Sequence, residues 1–299
     1  MKKIDRYAPV AVFCYDRLDK LKQLVSSLKQ NEESSNTKIY FFVDLCSADV
    51  SITNEIINYL ENIDDFFEKE IILRKKKYGL KKNIEDGIDY VFKFEQKIIC
   101  LEDDLIIDKY FLSYMNLCLN KYSTSQDIWH INGWSYPQIR FFMSEIYVGK
   151  IVNVWGWATW KNRWEKHDNR KDNKISKLNG DTSRNFNFYN LNKNFEQQLI
   201  DNDLNKINTW AIYWYQTVFL NCGKTIFPKH SLVRNIGFDG SGTNTGNTKY
   251  YNPKLKNKNL KKYSNNLKID KLNNFFTIVF FAKLYSLKKF HYYKNKFLH

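Results

Sequence analysis

Buried-strand and amphipathic-helix patterns alternate along the first half of the chain. Residues 9–14 form an uninterrupted apolar run, which is typical of a strand buried on both faces of a parallel sheet. Leucines at helical spacing follow it, from Leu18 to Leu28. The same alternation predicts further strands at 38–43, 70–73 and 97–101, and further helices at 52–60, 79–92 and 108–119. Strands that alternate with helices predict an α/β fold with a mostly parallel sheet.

The pattern changes in the second half of the chain. Tryptophans are concentrated between residues 129 and 164. Residues 165–208 are polar and rich in Asn and Lys, which predicts surface loops with a helix, whereas 209–220 predicts an aromatic-rich helix. Residues 231–246 mix glycines with Ser, Thr and Asn, which indicates a tightly turning loop.

The charge of the chain leaves several classes of partner open. The net charge is +15, and the lysines become denser after residue 249. A basic surface attracts nucleic acids, anionic membranes and phosphorylated ligands, and it is equally compatible with a plain solvated surface. Because no nucleic-acid-binding motif accompanies the charge, we expect no nucleic-acid partner, and a nucleic-acid-binding basic α/β protein stays the alternative.

The cysteines and the two ends of the chain indicate a reducing compartment. The chain has five cysteines and no C-x-x-C pair, which argues against zinc fingers and a disulfide framework. Cys14 and Cys100 lie in apolar runs, so we expect them to be buried. Residues 1–5 lack the apolar region of a signal peptide, and the apolar run 275–282 is shorter than the roughly 20 residues that span a bilayer. These features predict a cytoplasmic protein.

The basic tail allows two interpretations. Lysines in the last part of the chain interleave with Phe, Leu and Tyr from residue 280 onward. Such a segment is typical of a helix that lies on an anionic membrane, here the inner membrane face. A packed terminal helix is the alternative that the sequence leaves open.

Three consecutive acidic residues follow the fourth predicted strand. Glu102, Asp103 and Asp104 repel one another unless a positive group lies beside them. Carboxylate oxygens suit Mg²⁺ and Mn²⁺, and a metal held by one or two carboxylates completes its shell with phosphates and water. An acidic loop or helix N-terminus is the alternative. Arg17 and Asp44 follow the ends of two other predicted strands, so we expect them at the same rim of the sheet, where α/β proteins bind ligands.

The acidic turn belongs to an ordered set of segments that resembles a known enzyme family. Leu101-Glu102-Asp103-Asp104-Leu105, followed by Phe111-Leu112-Ser113-Tyr114-Met115, resembles the Glu-Asp-Asp signature and following helix of N-acetylglucosaminyltransferase I and of its bacterial relatives in O-antigen and capsule gene clusters. The other similar segments are Val12-Phe13-Cys14-Tyr15-Asp16-Arg17, Val43-Asp44-Leu45-Cys46, Trp155-Gly156-Trp157-Ala158-Thr159-Trp160 and Asn235-Ile236-Gly237-Phe238-Asp239-Gly240-Ser241-Gly242. The set covers roughly residues 8–246 in the order of the family.

The resemblance implies a GT-A fold that binds a UDP-sugar with Mn²⁺ or Mg²⁺. It assigns Asp104 to the metal, and Glu102 and Asp103 to the ribose and sugar of the donor. It also places Arg17 on a phosphate, and Asp44 on a uracil N–H or a ribose hydroxyl. The implied activity is transfer of a hexosyl or N-acetylhexosaminyl group to a glycan or lipid-linked acceptor in bacterial surface polysaccharide synthesis.

The same resemblance divides the chain. Residues 1–125 form a Rossmann-like nucleotide-sugar-binding half, 126–250 form the continuous acceptor-binding half, and 251–299 form a basic amphipathic extension. We expect Trp155 and Trp157 to bind the acceptor, since sugar faces stack on aromatic rings. We also expect at least half of the tryptophans in the 155–160 cluster to be buried core residues.

One departure from the family concerns the catalytic base. The eukaryotic enzyme has an Asp between two tryptophans, whereas Trp210-Ala211-Ile212-Tyr213-Trp214 contains no carboxylate. An inverting transfer needs a base for the acceptor hydroxyl, and Asp239 is the next candidate along the chain. Asp239 is also a residue type that caps turns. A retaining mechanism would not need the same base, so the stereochemistry stays open.

Two other interpretations compete with this one. The first is a nucleotidyltransferase, which would have a basic, Gly-rich loop after its first strand. Residues 14–18 contain no glycine, which argues against it. A GT-A scaffold without activity stays open because of the missing carboxylate between the tryptophans.

Overall fold

The structure is a computed structural model. It describes residues 7–64, 66–136, 145–167, 178, 180–187, 194–238, 253–260, 268–269, 271–272 and 274–283. Asp239, the predicted catalytic base, lies outside the described residues.

The described residues form a mixed α/β fold, as the alternating pattern predicts. The strands are β1 (Val10–Cys14), β2 (Lys38–Val43), β3 (Glu68–Leu73), β4 (Lys97–Glu102), β5 (Leu105–Ile107), β6 (Ile128–Asn132), β7 (Ile146–Gly149), β8 (Trp157–Trp160), β9 (Lys224–Pro228) and β10 (Val233–Asn235). The α-helices are α1 (Leu18–Lys29), α2 (Val50–Glu61), α3 (Leu80–Val91), α4 (Phe111–Lys121), α5 (Lys161–Trp164), α6 (Gly180–Phe186), α7 (Asn194–Asp203) and α8 (Ala211–Leu220), with a 3-10 helix at Glu32–Asn36.

One eight-stranded sheet runs through the molecule in the order β3-β2-β1-β4-β8-β6-β9-β7. The first four strands in this order are parallel. β8 pairs antiparallel with β4 and with β6, β9 is parallel to β6, and β7 is antiparallel to β9. The sheet therefore joins strands from both predicted halves of the chain. A separate antiparallel pair links β10 to β5.

Both faces of the sheet are covered by helices. Along β1, Val10, Val12 and Cys14 pack into a core cluster with α1, α2 and α4. Ala11 and Phe13 point the opposite way, into a cluster with α3 and α8. Successive strand residues alternate between faces, so burial on both sides requires the uninterrupted apolar run found at this strand. Each fully buried aliphatic or aromatic side chain contributes about 1.5–3 kcal/mol to folding.

The sequence located most of these elements to within a few residues. β2 has the predicted bounds, and β1 and β4 differ from them by one residue. The helix predicted at 108–119 begins at Phe111 with Tyr110 as its N-cap, and the Tyr110 N–H donates to Asp108 Oδ1 at 3.1 Å. Cys14 and Cys100 are buried, which confirms that prediction.

An aromatic cluster fills the space between the sheet and α8. Trp157 stacks on His130 with centroids 5.1 Å apart and on Trp210 at 5.5 Å. His130 Nδ1 accepts a hydrogen bond of 3.0 Å from Trp214 Nε1, which can only donate. His130 Nε2 therefore carries the hydrogen, and it donates to Asn132 Oδ1 at 2.6 Å and to the Asn153 carbonyl at 2.9 Å. Burial lowers the pKa of His130 from 6.5 to about 4, which keeps the ring neutral.

Part of the C-terminal extension packs against this body. Residues 274–283 are helical, and Phe281, only 8% exposed, contacts Tyr136 with a centroid distance of 5.5 Å. None of the helices in the described ranges has the length and apolar character needed to cross a membrane.

His130 makes the stability of the fold depend on pH. The folded pKa of about 4 lies below the unfolded value of 6.5, so unfolding takes up a proton between these values. The contribution of neutral His130 to the free energy of unfolding is complete above pH 6.5 and is lost as the pH falls from there towards 4. This contribution is at most roughly 3 kcal/mol. Urea unfolding at several pH values should show this loss in the wild type and not in His130→Gln. If the free energy of unfolding changes equally with pH in the two proteins, His130 is not the group responsible.

Candidate functional site

Two of the predicted site residues are fixed to the same end of β1. The Asp103 N–H donates to the Phe13 carbonyl at 3.1 Å, and the Asp44 N–H donates to the Cys14 carbonyl at 2.9 Å. These carbonyls are the last two of the central strand. The parallel strands β2 and β4 therefore deliver Asp44 and Asp103 to one rim, where α/β sheets bind ligands.

Arg17, at the start of α1, bridges two of the three acidic residues. Its Nη2 donates to Asp103 Oδ1 at 2.5 Å, and its Nη1 donates to Asp104 Oδ2 at 3.0 Å. The Tyr15 N–H adds a bond of 3.2 Å to Asp103 Oδ2. Both Asp103 oxygens are therefore used within the chain, and the planar guanidinium holds the two carboxylates in fixed positions.

One oxygen of Asp104 has no partner. Asp104 is 7% exposed, and its Oδ1 is buried without a hydrogen bond from the described residues. A carboxylate oxygen left in this state costs roughly 1–3 kcal/mol or more, because it has lost its water. The atom is an open acceptor at the rim.

The acidic turn carries more negative charge than Arg17 compensates. Burial, reinforced by Asp104 and Asp103, raises the pKa of Glu102 from 4.5 to about 8 against the opposing effect of Arg17. Burial also raises the pKa of Asp103 from 3.8 to about 7, although Arg17 opposes it. Part of the Glu102 side chain stays exposed, so the group is enclosed by protein but accessible from the rim. When all three carboxylates are ionised, as a bound cation would favour, one guanidinium leaves two negative charges unmatched. Without a cation, the raised pKa values of Glu102 and Asp103 mean that the turn takes up protons instead.

The segment after β10 forms the opposite wall of the site. The Ile236 N–H donates to the Asp104 carbonyl at 2.8 Å, and the Gly237 N–H donates to Asn235 Oδ1 at 2.7 Å. A Cβ placed at Gly237 would lie 2.3 Å from Asp104 Oδ2. Only glycine allows this approach without displacing the carboxylate. Asn235 and Gly237 lie in a segment that the sequence marks as similar to the family, but nothing in it shows the contact with Asp104.

Asp44 is occupied by backbone groups. Its Oδ1 accepts from Leu45 N at 3.0 Å and Tyr78 N at 2.7 Å, and its Oδ2 accepts from Gly79 N at 2.8 Å. Gly79, at φ 75°, is the N-cap of α3. Asp44 therefore fastens the loop before α3 to the end of β2. Its predicted contact with a nucleoside remains a prediction; the residue is 2% exposed.

The two tryptophans predicted to bind an acceptor differ in exposure. Trp157 is 1% exposed and lies in the core, with His130 and Trp210 stacked on its ring. A sugar has no ring face of Trp157 to contact, so this residue does not fit the predicted role. Trp155 is partly exposed and meets Phe238 edge to face at 5.2 Å. Trp157 and Trp160 are buried, so more than half of the cluster is core, as expected.

The stretch where the resemblance predicts a base lies in the first turns of α8. Ile212 is 3% exposed, and Trp210 and Trp214 belong to the aromatic cluster. Tyr213 is partly exposed, with Lys81 Nζ 4.2 Å from its ring centroid. No carboxylate of this stretch is available for a base.

The acidic turn fits a divalent cation by its chemistry. The orphaned Oδ1 of Asp104 offers a hard oxygen ligand, and the unmatched charge of the turn matches a dication. The described residues contain no group of three or more His, Cys, Asp or Glu arranged to hold a metal by themselves. A metal at Asp104 would therefore take most of its ligands from substrate phosphates and water, as Mg²⁺ usually does.

A separate cavity of about 240 Å³ lies beside α3. It shares no residue with the acidic turn, and it is lined by Lys81, Lys82, Glu85, Asp86, Asp89, Trp164, His167 and Asn208. Lys82 and Asp86 form an ion pair of 2.6 Å at its wall. Its mixed charges give no strong preference for an anion or a cation.

Comparison with known proteins identifies no family. No family model and no curated protein sequence matches the chain. A mannosyltransferase from Pyrobaculum calidifontis, solved with GDP-Man and Mn²⁺, is similar over 72% of this chain and 70% of its own, with 7% identity and a TM-score of 0.41. S. aureus TarS, residues 1–349, is similar over 74% of this chain, which spans 58% of that structure, with 11% identity and a TM-score of 0.44. The proposed function therefore depends on the residues of the site.

Glu102 should destabilise the metal-free protein at alkaline pH. The folded state holds the proton up to a pH of about 8, whereas the unfolded chain releases it near 4.5. Folding therefore binds a proton in this window, and the free energy of unfolding falls as the pH rises through it. In EDTA, Glu102→Gln should be more stable than the wild type at pH 8–9 by about 1 kcal/mol or more, and the gap should close by pH 5. A gap that does not change with pH would contradict the shifted pKa.

Gly237→Ala should disturb the acidic turn without unfolding the protein. The new methyl group would meet Asp104 Oδ2 at 2.3 Å, so the carboxylate has to move. We expect binding of Mn²⁺ with UDP to weaken by about tenfold or more, which corresponds to about 1.4 kcal/mol. Asp127→Ala is the control, since this carboxylate is 57% exposed and lies outside the acidic turn. If both variants bind as the wild type does, the close approach of Gly237 has no functional role.

Proposed function

We propose that the chain is a metal-dependent glycosyltransferase of the GT-A type that uses a nucleotide-sugar donor, UDP-linked by its sequence resemblance. The observation that carries the proposal is the buried, unpartnered Oδ1 of Asp104 at the carboxyl edge of a parallel sheet. It supplies an oxygen ligand at the place where such sheets bind nucleotides.

The sign of the local charge supports a metal-assisted site. A diphosphate is an anion, and three carboxylates repel it. Loops that bind phosphate directly use glycine backbone N–H groups, and residues 14–18 after β1 contain no glycine. A diphosphate at this rim therefore needs a cation between itself and the acidic turn.

Each residue of the turn has a distinct proposed part. Asp104 Oδ1 would hold Mn²⁺ or Mg²⁺, which when bound neutralises charge on the departing nucleoside diphosphate. Arg17 keeps the two carboxylates in place and has further N–H groups to offer a phosphate. Glu102, with its accessible edge, would face the ribose and sugar of the donor. The same part for Asp103 is proposed from the sequence resemblance alone, because both of its oxygens are bonded within the chain.

Fewer contacts support the proposed acceptor side of the site. Trp155 presents a partly exposed ring beside Phe238, one residue before Asp239 in the chain. We assign the acceptor contact to Trp155 and keep Asp239 as the proposed base. A glycan or lipid-linked acceptor of bacterial surface polysaccharide synthesis, and a hexosyl or N-acetylhexosaminyl group, are proposed from the sequence resemblance.

Removing the Asp104 carboxylate should abolish metal-dependent nucleotide binding. We expect wild-type protein to bind UDP by isothermal titration calorimetry when Mn²⁺ is present and to lose most of that affinity in EDTA. Asp104→Ala and the closer match Asp104→Asn should each weaken binding by about 2 kcal/mol or more, a factor of about thirty. Asp127→Ala is the matched control, because that carboxylate is 57% exposed and pairs with Lys224.

Equal affinity of wild type and both Asp104 variants, with folding confirmed by thermal unfolding, would sink the proposal. The same protein samples can distinguish an enzyme from an inactive scaffold. An enzyme should hydrolyse its nucleotide-sugar slowly, and EDTA should stop this hydrolysis. A scaffold would bind UDP without turnover.

A further inference from the structure

The positive charge of the chain is concentrated in the C-terminal extension. Residues 251–299 contain twelve lysines and one aspartate, and so carry eleven of the fifteen net charges. Among the described residues of this extension, Lys254, Lys256 and Lys258 are exposed. The extension is therefore a basic unit on a body that is close to neutral.

The described parts of the extension are held against the body by one side. The Asn257 N–H donates to Asp108 Oδ2 at 2.7 Å, and Leu260 is 3% exposed in the main core cluster. In the helix 274–283, Phe280 and Phe281 contact Tyr136 at centroid distances of 5.4 and 5.5 Å. These contacts fix which face of the helix points inward.

The opposite face of this helix is apolar and exposed. Phe275 and Val279, 55% and 46% exposed, are four residues apart and so lie on one face of this helix. Leu272, in the helical residues 271–272, is 51% exposed and precedes Phe275 by three residues. We call these three side chains the stripe. Exposed Lys271 and Lys283 lie at the two ends of the stripe. Within the described residues 274–283, packing on the body and contact with a surface are compatible, because they use different faces of the helix. The rest of the predicted basic tail, residues 284–299, lies outside the described residues.

We propose that the stripe Leu272, Phe275 and Val279, with the exposed lysines among the described residues of the extension, is a docking surface for an anionic lipid bilayer. Apolar side chains on one face of a helix enter the boundary between headgroups and acyl chains, while lysines beside them attract anionic headgroups. Both components of this recognition are present among the described residues of the extension, where the exposed Lys271 and Lys283 lie at the two ends of the stripe.

Other occupants match the surface less well. Nucleic acid would use the lysines, but aliphatic Leu272 and Val279 cannot stack on bases. A second copy of the chain would bring eleven further positive charges against the same surface, and this repulsion opposes association. An anionic bilayer would contact both the lysines and the apolar stripe. The proposal does not depend on the reaction proposed above.

Vesicle co-sedimentation tests the surface. The full chain should bind vesicles of phosphatidylcholine and phosphatidylglycerol in equal amounts, should not bind pure phosphatidylcholine, and should dissociate at high salt. The triple variant Leu272→Ser, Phe275→Ser, Val279→Ser should weaken binding by about tenfold or more. Lys254→Glu, Lys256→Glu, Lys258→Glu should also weaken it.

The matched control is Phe67→Ser with Phe94→Ser, which removes two aromatic rings that are 65% and 64% exposed on the body. It should bind vesicles as the wild type does. All variants should keep the unfolding temperature and the UDP affinity of the wild type, which separates this test from that of Asp104.

Several results would overturn the inference. These are equal binding to neutral vesicles, no binding to either vesicle, and full binding by the triple variant. Two further results would assign the stripe to another occupant: a dimer in sedimentation that the triple variant dissociates, or oligonucleotide binding that the triple variant weakens as strongly as vesicle binding.

Discussion

The acidic turn depends on the pairing of Arg17 with Asp103 and Asp104. Neighbouring carboxylates in a buried turn would otherwise take up protons or push apart, because water no longer screens them. The guanidinium holds the two carboxylates at 2.5 and 3.0 Å, and it leaves Asp104 Oδ1 unbonded. One cation thus orders the turn and is still too little charge to neutralise it. This shortfall of positive charge is the basis on which we propose that the site binds a dication.

The geometry of the sheet decides which side chains meet at this rim. β1 is central in the parallel part of the sheet, and its last two carbonyls receive the N–H groups of Asp103 and Asp44. The strands β2 and β4 come from distant parts of the sequence, yet each ends beside the same strand. The layers of apolar side chains on both faces keep these ends in register, so the energy of the core also positions the polar rim.

The sequence predicted the parts of the fold that local patterns determine. The strand at 38–43 and the helix after Gly79 were recoverable because apolar spacing and a cap residue encode them directly. For the site, the sequence identified only which residues follow the ends of strands, and not the contacts between them. The three backbone donors on Asp44, the stacking over Trp157 and the contact of Gly237 with Asp104 each join residues far apart in sequence. No local pattern encodes such contacts, and for Trp157 the aromatic pattern wrongly indicated an exposed platform.

The short β5–β10 pairing has a consequence for how the protein is made. Asp104 emerges from the ribosome with its strand neighbours, but its carbonyl gains its backbone donor only after residue 236 has been added. Closing a loop of this length is entropically costly until other long-range contacts have formed. Until then the acidic turn lacks this donor. A nascent or truncated chain that ends before β10 would therefore have the carboxylates without the wall that confines them.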